Sequence, residues 1–237
     1  MTITAPGIYE MPAEVYHADP CPEPSLSSTG ARTLANGTPA TYWHERHNPK
    51  QKRVFDIGTA GHLMVLEPHL FDQRVEVIRG VTAKGEVKED YTTADARAKR
   101  DAAYAAGKVP LLPAEVEMVT AMRAALWADP VARHAFEGGT AERAMFWRDS
   151  EFGVWCRTRP DYLPPHRRYL VDYKTSVSAD PREFGRRMLD YGYHQQAAWY
   201  LDGVQAVTGE RPCRCRAVRP GPFAGGMGRC GPGGARR

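Results

Sequence analysis

Residues 157–176 read RTRPDYLPPHRRYLVDYKTS. They lie where two apolar-rich segments meet, each with carboxylates near its end. The first, 151–161, alternates loosely through Phe152, Val154 and Cys156 and closes on Arg159-Pro160-Asp161. A polar turn follows, Pro164-Pro165-His166-Arg167-Arg168, and then a short β-branched and aromatic run, Tyr169-Leu170-Val171-Asp172-Tyr173-Lys174. Two such runs around a turn predict a β-hairpin with a long loop. Residues two apart on a strand share a face, so Asp172 and Lys174 point the same way and pairing brings Asp161 beside them. Two carboxylates and an ammonium on one side of a sheet are costly to bury unless they pair or hold a cation. Hard oxygen donors suit Mg²⁺, with Mn²⁺ as an alternative. An ammonium beside that cation can orient or activate a water, or balance charge developing on a phosphate. Asp-x-Lys alone also fits a solvated pair on an edge strand, which contributes little. The company the motif keeps therefore decides its meaning.

That company has a fixed order. Upstream stands Gly58-Thr59-Ala60-Gly61-His62, inside a stretch where Ile57, Ala60, Gly61, Met64 and Val65 recur with helical spacing. Glu142 precedes Phe146-Trp147-Arg148-Asp149 ahead of the hairpin. Downstream, YHQQAAWY at 193–200 puts Gln196 and Tyr200 at i and i+4, on one helical face. Together these motifs resemble the PD-(D/E)XK nuclease superfamily, and more closely the RecE-type (exodeoxyribonuclease VIII) nuclease domain, over residues 8–205. The resemblance implies an α/β, restriction-endonuclease-like fold with a mixed central sheet flanked by helices. It implies that His62, Asp161, Asp172 and the backbone carbonyl of Tyr173 hold the metal, that Lys174 is catalytic, and that Glu142 assists. Gln196 and Tyr200 would meet DNA, as would Lys84 and Lys88 in the polar segment 83–91.

The activity so implied is metal-dependent hydrolysis of DNA from linear duplex ends, 5′ to 3′, in phage or prophage recombination. Its implied partners are a single-strand annealing protein and further copies of the chain in a ring-like homo-oligomer. Two alternatives stay open: an accessory DNA-binding protein with a crippled site, and an endonuclease of the same superfamily, because the sheet motif does not encode polarity.

Composition sets the outer limits. At 237 residues the chain is long enough for a sizeable core, and its hydrophobic and charged fractions are ordinary for a globular protein. No stretch approaches the roughly 18 apolar residues of a membrane helix. The N-terminus, MTITAPGIYEMP, has no basic-then-apolar signal pattern. Five cysteines, an odd number, argue against a disulfide scaffold, and the expected location is the cytoplasm. The net charge of +4 is misleading, because residues 204–237 carry seven Arg against one Glu and leave the rest net acidic. Phosphate contacts in the body must come from local patches.

Along the chain, 7–24 reads as an irregular leader. Ser25 or Ser27 caps a helix carrying Ala31, Leu34 and Ala35 on one face, and Asn36-Gly37 stops it. A short helix follows Pro39, and Lys50, Lys52 and Arg53 make a basic cluster that reads as a solvated loop. Val75, Val77 and Ile78 suggest a strand. Helices are expected over 93–107, 113–128 (with Pro113 at its first position) and 131–136, then over 183–189 and 192–207. From Thr208 the character changes: 19 of the last 30 residues are Gly, Arg or Pro. Such a segment cannot bury a core, so 208–237 is expected to be disordered, where RecE-type domains continue into a strand and helices. The expectation is that another reading frame has replaced the family's C-terminus, leaving one nuclease domain over 1–207. Cys21, Cys213, Cys215 and Cys230 match in number the cysteines that clamp an iron–sulfur cluster in some relatives, but their spacing argues against one.

Overall fold

The computed structural model describes residues 1–48, 53–176, 180–218 and 228–229. The basic cluster at Lys50, Lys52 and the side chain of Arg53 lies outside them. The chain divides into two compact units, one built chiefly from Met1–Lys50 and Val131–Arg219, the other from Gln51–Pro130. Both units lie largely within the span 1–207 expected as one nuclease domain.

In the first unit the leader is structured after all. Strand β1 (Gly7–Tyr9) and helix α1 (Ala13–His17) precede α2 (Ser28–Asn36) and α3 (Pro39–His47). Ile3, Met11 and Tyr16 are buried and pack with Ala144, Phe146 and Trp155, which is what draws this loop-like sequence onto the sheet. Ser27, not Ser25, caps α2, accepting from the Gly30 N–H at 3.2 Å. The inner face of α2 turns on Gly30, while Leu34 is exposed.

The second unit runs α4 (Arg53–Leu66), α5 (Phe71–Arg74), β2 (Val75–Val77), β3 (Gly80–Val81), β4 (Val87–Lys88), α6 (Ala94–Ala105), β5 (Val109–Leu111) and α7 (Pro113–Ala128). Its core is Ala60, Phe71, Val75, Leu111 and Val119. Strand β2 pairs in parallel with β5. The polar segment 83–91 forms the turn and second strand of a small hairpin, β3 against β4, turned at Gly85 with φ 82°.

The chain then returns to the first unit through α8 (Pro130–Ala135) and strands β6 (Thr140–Ala141), β7 (Ala144–Arg148), β8 (Trp155–Thr158), β9 (Tyr162–Leu163) and β10 (Tyr169–Tyr173). Helices α9 (Pro181–Asp190) and α10 (Tyr193–Thr208) follow, then β11 (Arg214–Val218) and β12 (Gly228–Arg229). One sheet is ordered β1-β7-β8 and another β12-β11-β10-β9-β6. A single ribbon joins them, because Thr140 faces Leu163 and Met145 faces Thr158 in the same antiparallel register. That ribbon is interrupted between its two halves, where Pro160 has no N–H to give. The hairpin arm opposite β10 is therefore the short β9, with Val171 facing Tyr162, and not the whole segment 151–161.

Strand β11 corrects the reading of 208–237 as disordered. Thr208 closes α10, and Arg214–Val218 pairs in parallel with all five residues of β10. Cys215, Ala217 and Val218 are buried, so five residues of low overall hydrophobicity suffice when they land at the middle of a sheet. Beyond Val218 only Gly228–Arg229 are described, pairing with β11. No helix among the described residues is long and apolar enough to cross a membrane.

Candidate active site

The interruption of the ribbon creates the site. In the shared register Glu142 falls opposite Asp161, and the Glu142 N–H donates to the Asp161 carbonyl at 3.0 Å. Glu142 takes φ 54°, the left-handed region, which costs a non-glycine residue about 1–2 kcal/mol. A carboxylate oxygen of Glu142 and one of Asp161 lie within 4.8 Å. Arg159 holds Glu142 twice: its Nε donates to the Glu142 carbonyl at 3.0 Å and its guanidinium lies 3.2 Å from the carboxylate.

Asp161 reaches across to β10, where its Oδ2 accepts from the Tyr173 N–H at 2.6 Å. On that strand Lys174 Nζ donates to Asp172 Oδ1 at 2.7 Å. Asp161 and Asp172 are 6 % and 4 % exposed, so these are charged groups removed from water. Burial pushes the Asp161 carboxyl above the usual carboxylate range, although Lys174, the Tyr173 N–H, Arg159 and a hydrogen bond with Asp172 all pull the other way. Burial works against the charge of Lys174, but the carboxylates of Asp172 and Asp161 outweigh it and hold the ammonium protonated. Its Nζ also sits 5.0 Å from the centroid of the Tyr193 ring.

Lys174 and Arg159 together balance two of the three clustered carboxylates and leave one in excess, and like charges opposite each other on paired strands are destabilising. Two carboxyls that share a proton when alone are the donor set a divalent cation replaces that proton on. The oxygens of Asp161, Asp172 and Glu142 fit a hard cation by their chemistry.

The other expected residues are placed as follows. Tyr173 is fully buried on β10. His62 is half-buried on α4 of the second unit. Lys84 is exposed in the β3–β4 turn, and Lys88 on β4 lies 3.5 Å from Glu86. Tyr200, expected to meet DNA, lies among buried residues. It is 7 % exposed in the core with Met145, Leu170 and Val204, and its hydroxyl accepts from Gln196 Nε2 at 2.6 Å. Gln196 is half-buried. Helix α10 buries Ala197, Tyr200 and Val204 with helical spacing and leaves Ala198 exposed. Cys215 points into that core, and Cys213 is exposed.

Sequence reasoning missed Arg159 and Tyr193 as parts of the site. Arg159 shares parity with Asp161 on a strand, which was the available signal. Tyr193 opens α10 one turn before Gln196, but its approach to Lys174 depends on the bend at Gly192, which sequence alone does not reveal.

The ribbon, the parallel β10–β11 pair and the flanking helices define an α/β fold of the PD-(D/E)XK class. A family model described as a PDDEXK-like domain of unknown function (DUF3799) matches residues 26–217. The chain belongs to that family. No curated protein matches the chain. Among solved structures it is similar to a crystal structure described as a "putative exonuclease" from Eubacterium rectale, at 16 % identity and a TM-score of 0.52. The match covers 81 % of this chain and 65 % of that one, so the chain spans less than two thirds of that protein's length.

Proposed function

We propose that the protein is a metal-dependent nuclease that hydrolyses DNA phosphodiesters, working from the ends of linear duplexes. The observation that carries this reading is the gathering of Asp161, Asp172 and Lys174 at the meeting of β9 and β10, with Glu142 across the ribbon. The exonuclease description of the similar crystal structure supports attack from ends. The 5′ to 3′ direction, a phage-type recombination setting and an annealing partner rest on the RecE-type resemblance.

Asp161, Asp172 and Glu142 would hold Mg²⁺, with His62 and the Tyr173 carbonyl as further ligands on the strength of the sequence motifs. The bound ion would polarise the phosphate and stabilise the leaving oxygen. The residues supply the rest. Arg159 fixes Glu142, and the Tyr173 N–H fixes Asp161, so two ligands are oriented before any ion arrives. Lys174, held protonated, donates to the attacking water or to the phosphate and balances charge as it develops. Gln196, oriented by Tyr200, offers an amide to the backbone of the strand.

The test is digestion of end-labelled linear duplex and of covalently closed circles, with Mg²⁺, by wild type and Lys174→Ala. The expected result is degradation of linear DNA only, falling at least ~10²-fold in the variant. Cutting of closed circles moves the reading to an endonuclease. A folded wild type with no variant-sensitive cleavage of either substrate refutes it and favours an accessory binding protein.

A further inference from the structure

An aromatic path leads out from the catalytic lysine. Lys174 Nζ stands over the Tyr193 ring, and that ring lies 5.7 Å from the ring of Tyr191 with planes 35° apart. Tyr191 is 54 % exposed although it is a large aromatic. Its backbone is nevertheless fixed at both ends: its carbonyl accepts from Arg32 at 2.7 Å, and its N–H donates to the Arg187 carbonyl at 2.9 Å. The turn between α9 and α10 brings the two rings together. It passes through Gly192 at φ 63°, where a Cβ would stand 2.5 Å from Arg32 Cδ.

Tyr191 opens onto a groove of about 570 Å³ between α2, α3 and the α9–α10 turn. Arg32, Glu45, Asp190, His194 and Gln195 share its lining. A cation, two carboxylates, an imidazole and an amide are a poor match to a run of phosphates. They are a good match to nucleobase edges, which present donors and acceptors side by side. The charges for phosphates stand on α9, where Arg182 and Arg186 are exposed and make no ion pair among the described residues. Bases in a duplex hide their faces in the stack, so only an unpaired strand can lay a base on an exposed tyrosine.

We propose that this groove binds the unpaired DNA strand next to the cleaved phosphate, with a base stacked on Tyr191 and the backbone along α9. The proposal rests on the nuclease reading for its link to cleavage. It makes single-stranded or frayed ends the preferred substrate over blunt ones.

The test is fluorescence anisotropy with a labelled oligothymidylate of about 12 nucleotides in EDTA, for wild type, Tyr191→Ala and Tyr191→Phe. Losing one base stack is expected to weaken binding by roughly 10-fold or more in Tyr191→Ala. Tyr191→Phe keeps the ring face and is expected to stay within about twofold of wild type. Equal binding by wild type and Tyr191→Ala overturns the proposal, as does a wild type that does not bind the oligonucleotide. The same three proteins are then given Mg²⁺ and an end-labelled linear duplex carrying a single-stranded overhang. Tyrosine-dependent binding without any cleavage leaves the groove standing and refutes the nuclease reading. Cleavage with tyrosine-independent binding does the reverse.

Discussion

Glu142 sits in a backbone conformation that most side chains avoid, opposite a second carboxylate and under an arginine clamp. Strain of this kind, about 1–3 kcal/mol, persists where function needs the geometry. Glu142→Gly is therefore expected to leave stability in urea within ~1 kcal/mol of wild type while cleavage falls at least ~10-fold; an unfolded variant would contradict this account. Asp19 is a purely structural counterpart. At φ 60° it receives Arg157 at 2.5 Å, the Ser25 hydroxyl at 2.6 Å and Arg46 at 2.5 Å. Burial pushes its carboxyl up, but the bonds from Ser25 and Arg46 prevail and hold it below its ordinary value of 3.8. Its stabilisation is then complete above pH 3.8 and is lost as pH falls through the depressed folded value. Asp19→Asn is expected to cost about 3 kcal/mol near neutral pH, with the gap from wild type closing in acid. Urea unfolding at several pH values measures it. Of the residues that matter, the acid–lysine set was legible because strand parity fixes which side chains meet. The pairing of Arg159 with Glu142 and of Asp19 with Arg46 and Arg157 joins separate elements, which strand parity alone does not reveal.

At the scale of elements, helices read well and strands less so. Local spacing and caps define α6, α7 and α10, whereas strand pairing depends on remote neighbours. The sequence predicts the hairpin with a continuous first arm. Only the register shows that Pro160 and Glu142 split it and so open the site. Helix α10 packs on β7 and β8 through Gly203, where a Cβ would meet Thr158 Cγ2 at 2.7 Å and Trp147 Cζ3 at 2.8 Å. Alanine normally gains about 1 kcal/mol over glycine inside a helix. Here Gly203→Ala is expected to destabilise by roughly 1–3 kcal/mol, because both neighbours are buried. A raised melting temperature would show that the helix has room to shift.

For the molecule as a whole, composition pointed to disorder after Thr208, and a window of low hydrophobicity hid a central strand. Alternation of Cys215 with Ala217 was the signal, too short to outweigh its surroundings. A chain ending after Val218 is expected to keep the cooperative melting of the first unit, and one ending after Thr208 to lose it; calorimetry of the two distinguishes them. The same strand has a consequence for timing. The Lys174 N–H is bonded to the Val218 carbonyl, 2.8 Å away. While the ribosome is still making α9 and α10, β10 lacks that neighbour. Synthesis runs from the N-terminus, so the acids and the lysine emerge first and wait. The candidate site is thereby left unfinished on a nascent chain, because β11, whose Val218 carbonyl holds the Lys174 backbone, leaves the ribosome after the acids and the lysine.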